Sequence, residues 1–240
     1  ISWMNEEAKK KILTPENGVT TEERWQKETI PLVNMLINKL EISEGDTVID
    51  YGCGIGRISK DLLEWVDKGY RVITLTASCG LMLKFEWPLI LPQNKDVKRL
   101  SKNISDIDEY IVDISNKEGI AKGLEEIDGG VTLHHACHAR AQNMGVKARD
   151  MLKLIPNIKI DVVERCAGHG GTFGVMKETH NLALKVGRPA ARQIKKKNNK
   201  YMASDCPLAG KHLKQLETDT NIKSDEALHP IELIAKAYKL

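Results

Sequence analysis

Apolar side chains recur at helical spacing through "TTEERWQKETIPLVNMLINKLEI" (residues 20–42), where Leu32, Met35, Leu36 and Leu40 share one face and Thr20 or Thr21 is placed to cap the start. At "DTVIDYGCGIG" (46–56) that period gives way to a short buried strand that breaks into a glycine loop, and "RISKDLLEWV" (57–66) predicts the helix behind it. "YRVITLTASC" (70–79) reads as the next strand. "GLMLKFEWPLIL" (80–91) predicts a helix that Pro88 and Pro92 interrupt, and residues 94–127 a polar helical stretch.

From residue 130 the alternation becomes regular. Strands are predicted in "GGVTLHHAC" (129–137), "IKIDVVERC" (158–166) and "KYMASDC" (200–206). Helices are predicted in "AQNMGVKARDMLKLI" (141–155), "GVMKETHNLALKVG" (174–187) and "PLAGKHLKQLE" (207–217). A last helix, "HPIELIAKAYKL" (229–240), carries Pro230 in its first turn, where a missing N–H costs nothing. Strands alternating with helices of this length imply an α/β fold whose βα units share a parallel sheet.

This pattern gives the five cysteines a common address. Cys53, Cys79, Cys137, Cys166 and Cys206 each fall at or just beyond the carboxyl end of a predicted strand. In an open parallel sheet that edge is where ligands bind. A short echo between "TASCGLMLK" (76–84) and "ASDCPLAGK" (203–211) is consistent with two related halves facing a common cleft. Composition narrows the setting. The chain has 240 residues, 41% hydrophobic and 29% charged, with a formal net charge of +3, too small to argue for nucleic acid. The one dense basic run, "RQIKKKNNK" (192–200), reads as the end of a solvated helix. No apolar run is long enough to span a bilayer and the start has no signal-peptide pattern, so a cytoplasmic protein with reduced thiols is expected. The first residue is Ile1 rather than methionine, which reads as a fragment.

Thiolate is a soft ligand suited to iron–sulfur clusters or zinc, and converging strand ends would gather Cys137, Cys166 and Cys206 despite their separation in sequence. None has a CxxC partner, so iron–sulfur, zinc and no metal all remain open from the chemistry alone. The glycines in "VVERCAGHGGTFG" (162–174) would let backbone N–H groups approach sulfur closely. His134, His135, His138 and His169 crowd the same edge; taken singly, the first two end a strand and His138 caps a turn, whereas His169 sits in the glycine loop beside Cys166.

Three stretches, "HHACHARAQNMGVKARDMLKLIP", "VVERCAGHGGTFGVMKETH" and "ASDCPLAGKHL", with "TASCGLMLKFEWPLIL" ahead of them, resemble the C-terminal cysteine-rich half of iron–sulfur oxidoreductases related to the membrane-anchor subunit of anaerobic glycerol 3-phosphate dehydrogenase and to heterodisulfide reductase. The match runs over about residues 69–240. It implies an iron–sulfur cluster of the 4Fe–4S type and electron transfer between a flavoprotein or other redox subunit and a quinone or thiol/disulfide acceptor. It also implies peripheral attachment to the inner membrane through a partner. The fullest form of the repeat has a cysteine, a CCG triplet and a CxxC pair. Here the positions read Cys137, "RCAG" with Arg165 before Cys166, and "ASDC" with Ala203 in place of the first cysteine of the pair. The earlier copy keeps Cys79 with Thr76 at the partner position. The implied ligands are therefore Cys137, Cys166, Cys206 and Cys79, with His169 as a further candidate.

"VIDYGCGIGRISKDLL" places Asp50, Gly52, Gly54 and Gly56 between a strand and a helix and resembles the first motif of class I S-adenosylmethionine-dependent methyltransferases over about residues 20–66. By that resemblance these four residues would line S-adenosylmethionine. "RVITLTAS" offers Thr74 and Thr76 where an acidic residue usually holds the ribose. The two resemblances meet near "EWVDKGYRV" (64–72) without a linker, which reads as a chimaera. The resemblances imply that residues 1–67 form a partial Rossmann-like methyltransferase segment, and 68–240 a cysteine-rich domain with a partial first repeat (68–128) and a second (129–240). The function expected is an iron–sulfur electron-transfer protein or oxidoreductase subunit. A truncated methyltransferase and a zinc-stabilised interaction module are the alternatives.

Overall fold

In a computed structural model of the chain, residues 48–49, 59–216 and 227–240 are described. The helix expected over 20–42 and the loop bearing Asp50, Gly52, Cys53, Gly54 and Gly56 lie outside them. The chain divides into two units, residues 1–75 with 82–104, and residues 76–81 with 105–240.

In the first unit, strand β1 (Val48–Ile49) pairs in parallel with β2 (Val72–Thr74), Val48 opposite Val72. Helix α1 (Ser59–Asp67) lies between them in sequence and buries Leu63 and Val66. It stops where Gly69 takes a φ of +96°. The predicted strand over 70–79 is shorter than expected, because residues 77–81 already form helix α2 (Ala77–Leu81), which belongs to the second unit. A π-helical turn (Met82–Glu86) and α3 (Trp87–Ile90) follow. Pro88 does not interrupt the helix: it occupies the first turn of α3, where its missing N–H is harmless, and the chain breaks only at Leu91. Helix α4 (Lys95–Lys102) begins where the Asn94 side chain accepts the N–H groups of Asp96 and Val97.

Residues 94–127 are not continuously helical. Strand β3 (Ile104–Asp106) intervenes before α5 (Ile107–Lys117), whose start is fixed by a reciprocal cap between Asp106 and Glu109. The second unit then follows the alternation read from the sequence. Strands β4 (Val131–His134), β5 (Ile160–Val163) and β6 (Tyr201–Ser204) form a parallel sheet in the order β5-β4-β6. Their register sets His134 opposite both Val163 and Ser204.

The two-residue period of the strands divides the core. Val131, Leu133, Tyr201 and Ala203 face a layer built from α5, α7 (Lys147–Leu152) and α10 (Pro230–Ala237). Met202 and Val163 face the other side, where Ala190, Ala191, Ile194 and Leu213 come from α8 (Lys177–Lys197) and α9 (Pro207–Lys214). Both faces of a parallel sheet are thus covered. Of the helix expected over 141–155 only α7 forms; a separate short helix, α6 (Cys137–Ala141), ends where that stretch begins, and Asn143 and Gly145 between the two both adopt positive φ. Helix α8 is longer than expected: it carries Pro189 in its interior and ends in Lys195, Lys196 and Lys197 at Asn198, whose φ is +50°.

Candidate metal centre

Parallel strands point their carboxyl ends the same way, so β4, β5 and β6 deliver three turns to one edge of the second unit. Cys137 opens α6 three residues after β4 ends. Cys166 lies three residues after β5. Cys206 is the residue capping α9, two after β6. These three cysteines line one pocket of about 350 Å³, counting the part open to solvent, together with His138, His169 and the glycines at 168, 170 and 171. Cys79 sits buried in α2 and does not line it.

The thiols differ in setting. Cys137 and Cys166 are exposed, and the Gly168 N–H donates to Cys166 Sγ at 3.3 Å, a contact made from a φ of +82°. Cys137 Sγ is 3.9 Å from His138 Nδ1. Cys206 is buried, and burial pushes its thiol pKa up. The N–H groups of Ala209 and Leu208 act in the opposite sense, while negative charge at Asp205 and Cys137 adds to the rise. Among the described residues, no group of three His, Cys, Asp or Glu side chains is arranged to hold a single metal ion. Three soft sulfur donors spread around an open pocket, with no carboxylate in its lining, fit a multi-iron cluster better than one tetrahedral ion, whose ligands must converge on a point.

The histidines separate into two kinds. His134 is buried with both ring nitrogens engaged: Nε2–H donates to the Arg165 carbonyl at 2.9 Å, and Nδ1 accepts from Ser204 Oγ at 3.0 Å. It also lines the pocket, but both of its ring nitrogens are taken up by the flanking turns. His135 pairs through Nδ1 with the buried Asp205 carboxylate. His138 and His169 face the pocket. Behind His169 stands the buried His212, 5.9 Å away between ring centres, with His180 6.0 Å further on. Asp205, Ser204 and His212 carry no motif. The only sequence trace of the first two is a pair of polar residues closing an otherwise apolar strand.

Burial holds the pKa of His134, His169 and His212 below the ordinary histidine value; neighbouring histidines add to the effect at each. For a depressed histidine the stabilising contribution is fully present above the unfolded pKa of about 6.5 and is lost as pH falls through the folded value. Urea midpoints are therefore expected to hold between about pH 8 and 7 and to fall progressively below about pH 6.5, with net proton uptake on unfolding. A flat profile down to pH 5 counts against these buried neutral imidazoles.

Residues 131–214 match the family described as the CCG cysteine-rich domain. The chain is 28% identical over 171 residues to a subunit of anaerobic glycerol-3-phosphate dehydrogenase from Escherichia coli K12, covering 71% of this chain and 41% of that protein. It is 27% identical over 176 residues to a subunit of the CoM/CoB fumarate reductase from Methanothermobacter marburgensis, covering 71% of this chain and 33% of that one. The chain thus spans less than half the length of either relative.

Proposed function

We propose that the chain is an iron–sulfur cluster-binding, electron-transferring subunit of an oxidoreductase, with Cys137, Cys166 and Cys206 as the main ligands. The observation that carries this reading is the meeting of these three thiols in one pocket at the carboxyl edge of the β5-β4-β6 sheet. The similarity of residues 131–214 to the cysteine-rich domain, and of the longer stretch to two redox-enzyme subunits, supports it independently.

When bound, the cluster supplies reversible uptake and release of single electrons. The chain's own residues set the conditions. The Gly168 N–H directed at Cys166 Sγ stabilises charge on that sulfur, a lever on reduction potential. Burial of Cys206 keeps its ligand sulfur away from water. His169, at the pocket wall, would complete the ligand set at the turn where Arg165 stands before Cys166. Held by these residues, a cluster would supply single-electron exchange between a flavoprotein or other redox subunit and a quinone or thiol/disulfide acceptor. Among the described residues no helix is long and apolar enough to cross a membrane. The methyltransferase reading of residues 20–66 has no comparable support, since its loop lies outside the described residues and the relatives are redox-enzyme subunits by name.

Anaerobic reconstitution with ferrous iron and sulfide tests the proposal. A brown protein carrying iron and acid-labile sulfide is the expected product. A colourless, iron-free chain would overturn it, and one equivalent of zinc with no iron would point to the zinc-stabilised module.

A further inference from the structure

We propose that Asp205 and His134 are positioning residues that tie the three cysteine turns into one frame before any cluster is present. Their hydrogen bonds end on the backbone beside each pocket cysteine. Asp205 directly precedes Cys206, and its Oδ1 accepts the N–H of Ala136, the residue before Cys137, at 2.7 Å. Its Oδ2 is held by His135. His134 reaches the third turn: Nε2–H donates to the carbonyl of Arg165, the residue before Cys166. Its Nδ1 accepts from Ser204 Oγ, which in turn accepts the N–H of Cys206 at 3.3 Å. Two buried side chains thus join three turns that the sequence separates by 29 residues, from 137 to 166, and by 40 more, to 206.

The arrangement suits a site more than a core. Apolar packing alone would bury these positions without desolvating a carboxylate and an imidazole, and a buried polar network costs stability unless every member is satisfied. What it adds is direction: each bond fixes a peptide plane next to a ligand, as outer partners do for metal ligands in general. Asp205 also places a carboxylate one residue from Cys206, and both are buried, so its charge acts on the pocket through little solvent. Removing that charge while keeping the tie should therefore make a bound cluster easier to reduce.

The inference rests on the cluster reading above, and its test separates the two. In the apo chain, the yield of cross-link formed by a short bis-maleimide between the exposed Cys137 and Cys166 reports whether the turns are held together. After anaerobic reconstitution, iron per chain and the reduction potential of the cluster report on the loaded site. Asp205→Ala and His134→Ala are expected to lower the cross-link yield several-fold and to weaken iron loading about 10-fold or more. Asp205→Asn, which keeps an acceptor for the Ala136 N–H, should restore both while shifting the potential to more positive values. Asp205→Ala matching the parent in cross-link yield and iron load, with unchanged far-ultraviolet circular dichroism, overturns the proposal, as does Asp205→Asn with an unshifted potential. If Asp205→Ala fails to fold, Ser204→Ala decides by the same cross-link and iron comparison. A parent that loads no iron refutes the cluster reading, while the cross-link yields still decide the frame.

Discussion

A chain carrying Gly168→Ala is expected to lose about 2–6 kcal/mol of stability, among the largest effects a single methyl group can have. Two costs add. Gly168 has a φ of +82°, a conformation in which any other residue is strained by about 1–3 kcal/mol. The added Cβ would also fall onto the Ala183 carbonyl and within 2.8 Å of the Gly187 nitrogen, both backbone atoms of α8 that cannot swing aside. Overpacking of this kind costs about 1–3 kcal/mol, occasionally more. Gly187 meets the same turn from the other side, since a Cβ there would strike the Ala167 carbonyl and approach Leu216 Cδ1 at 3.1 Å. The Cys166 turn is thus seated against α8 backbone to backbone. A control isolates the packing cost: Gly171 also has positive φ, at +62°, but a Cβ there meets nothing within 4 Å, so Gly171→Ala should cost only about 1–3 kcal/mol of backbone strain. Urea denaturation of the three proteins settles it. Gly168→Ala no less stable than Gly171→Ala would show that the turn lifts off α8 at little cost. With domains commonly stable by about 5–15 kcal/mol, the expected loss also weakens the pocket, because the Gly168 N–H is the one that meets Cys166 Sγ.

The pocket cysteines were legible in the sequence because they obey local rules. Each follows a run of strand-forming residues and precedes a helical pattern, and parallel topology brings such junctions to one edge without further information. The same reasoning placed Cys79 with them, and there it stopped short: residues 77–81 turn helical immediately after β2, and Cys79 is carried into the packing of α2 instead of the pocket. Breaks that depend on one backbone angle were hidden, as at Asn143 and Gly145, where "AQNMGVKARDMLKLI" keeps helical periodicity across a turn. So was β3, three residues inside a polar stretch. The frame around Asp205 could not be read at all. It exists because register sets His134 opposite Ser204, 70 positions away, and no single-sequence signal reports register between strands so distant. "GHGG" promised a backbone near sulfur, which Gly168 delivers; that the same glycine also seats the turn on α8 follows only from the packing.

Alanine at the cysteines is expected to separate ligand from core by opposite signatures. Cys137 and Cys166 are exposed, so Cys137→Ala and Cys166→Ala should leave the apo chain within about 0.5 kcal/mol of the parent while iron loading falls about 10-fold or more. Cys206 is buried among Met202, Ala209 and Leu213 and should show both effects, a loss of about 1 kcal/mol and the same fall in iron. The apo cost stays small because burial keeps this thiol neutral until a cation arrives, so alanine removes packing and not a charge. Cys79→Ala should do the reverse, costing about 1 kcal/mol of packing and leaving iron and sulfide content unchanged. Iron analysis after anaerobic reconstitution, set beside urea midpoints of the apo proteins, reads all four. Should Cys79→Ala strip the iron while Cys137→Ala keeps it, the cluster does not occupy the pocket at the end of β4, β5 and β6, and the ligand assignment fails as a whole. Should all four keep it, the iron is held elsewhere than on these thiols. The expected pattern places the cluster on three sulfurs supplied by three successive βα turns, with the sheet fixing their spacing.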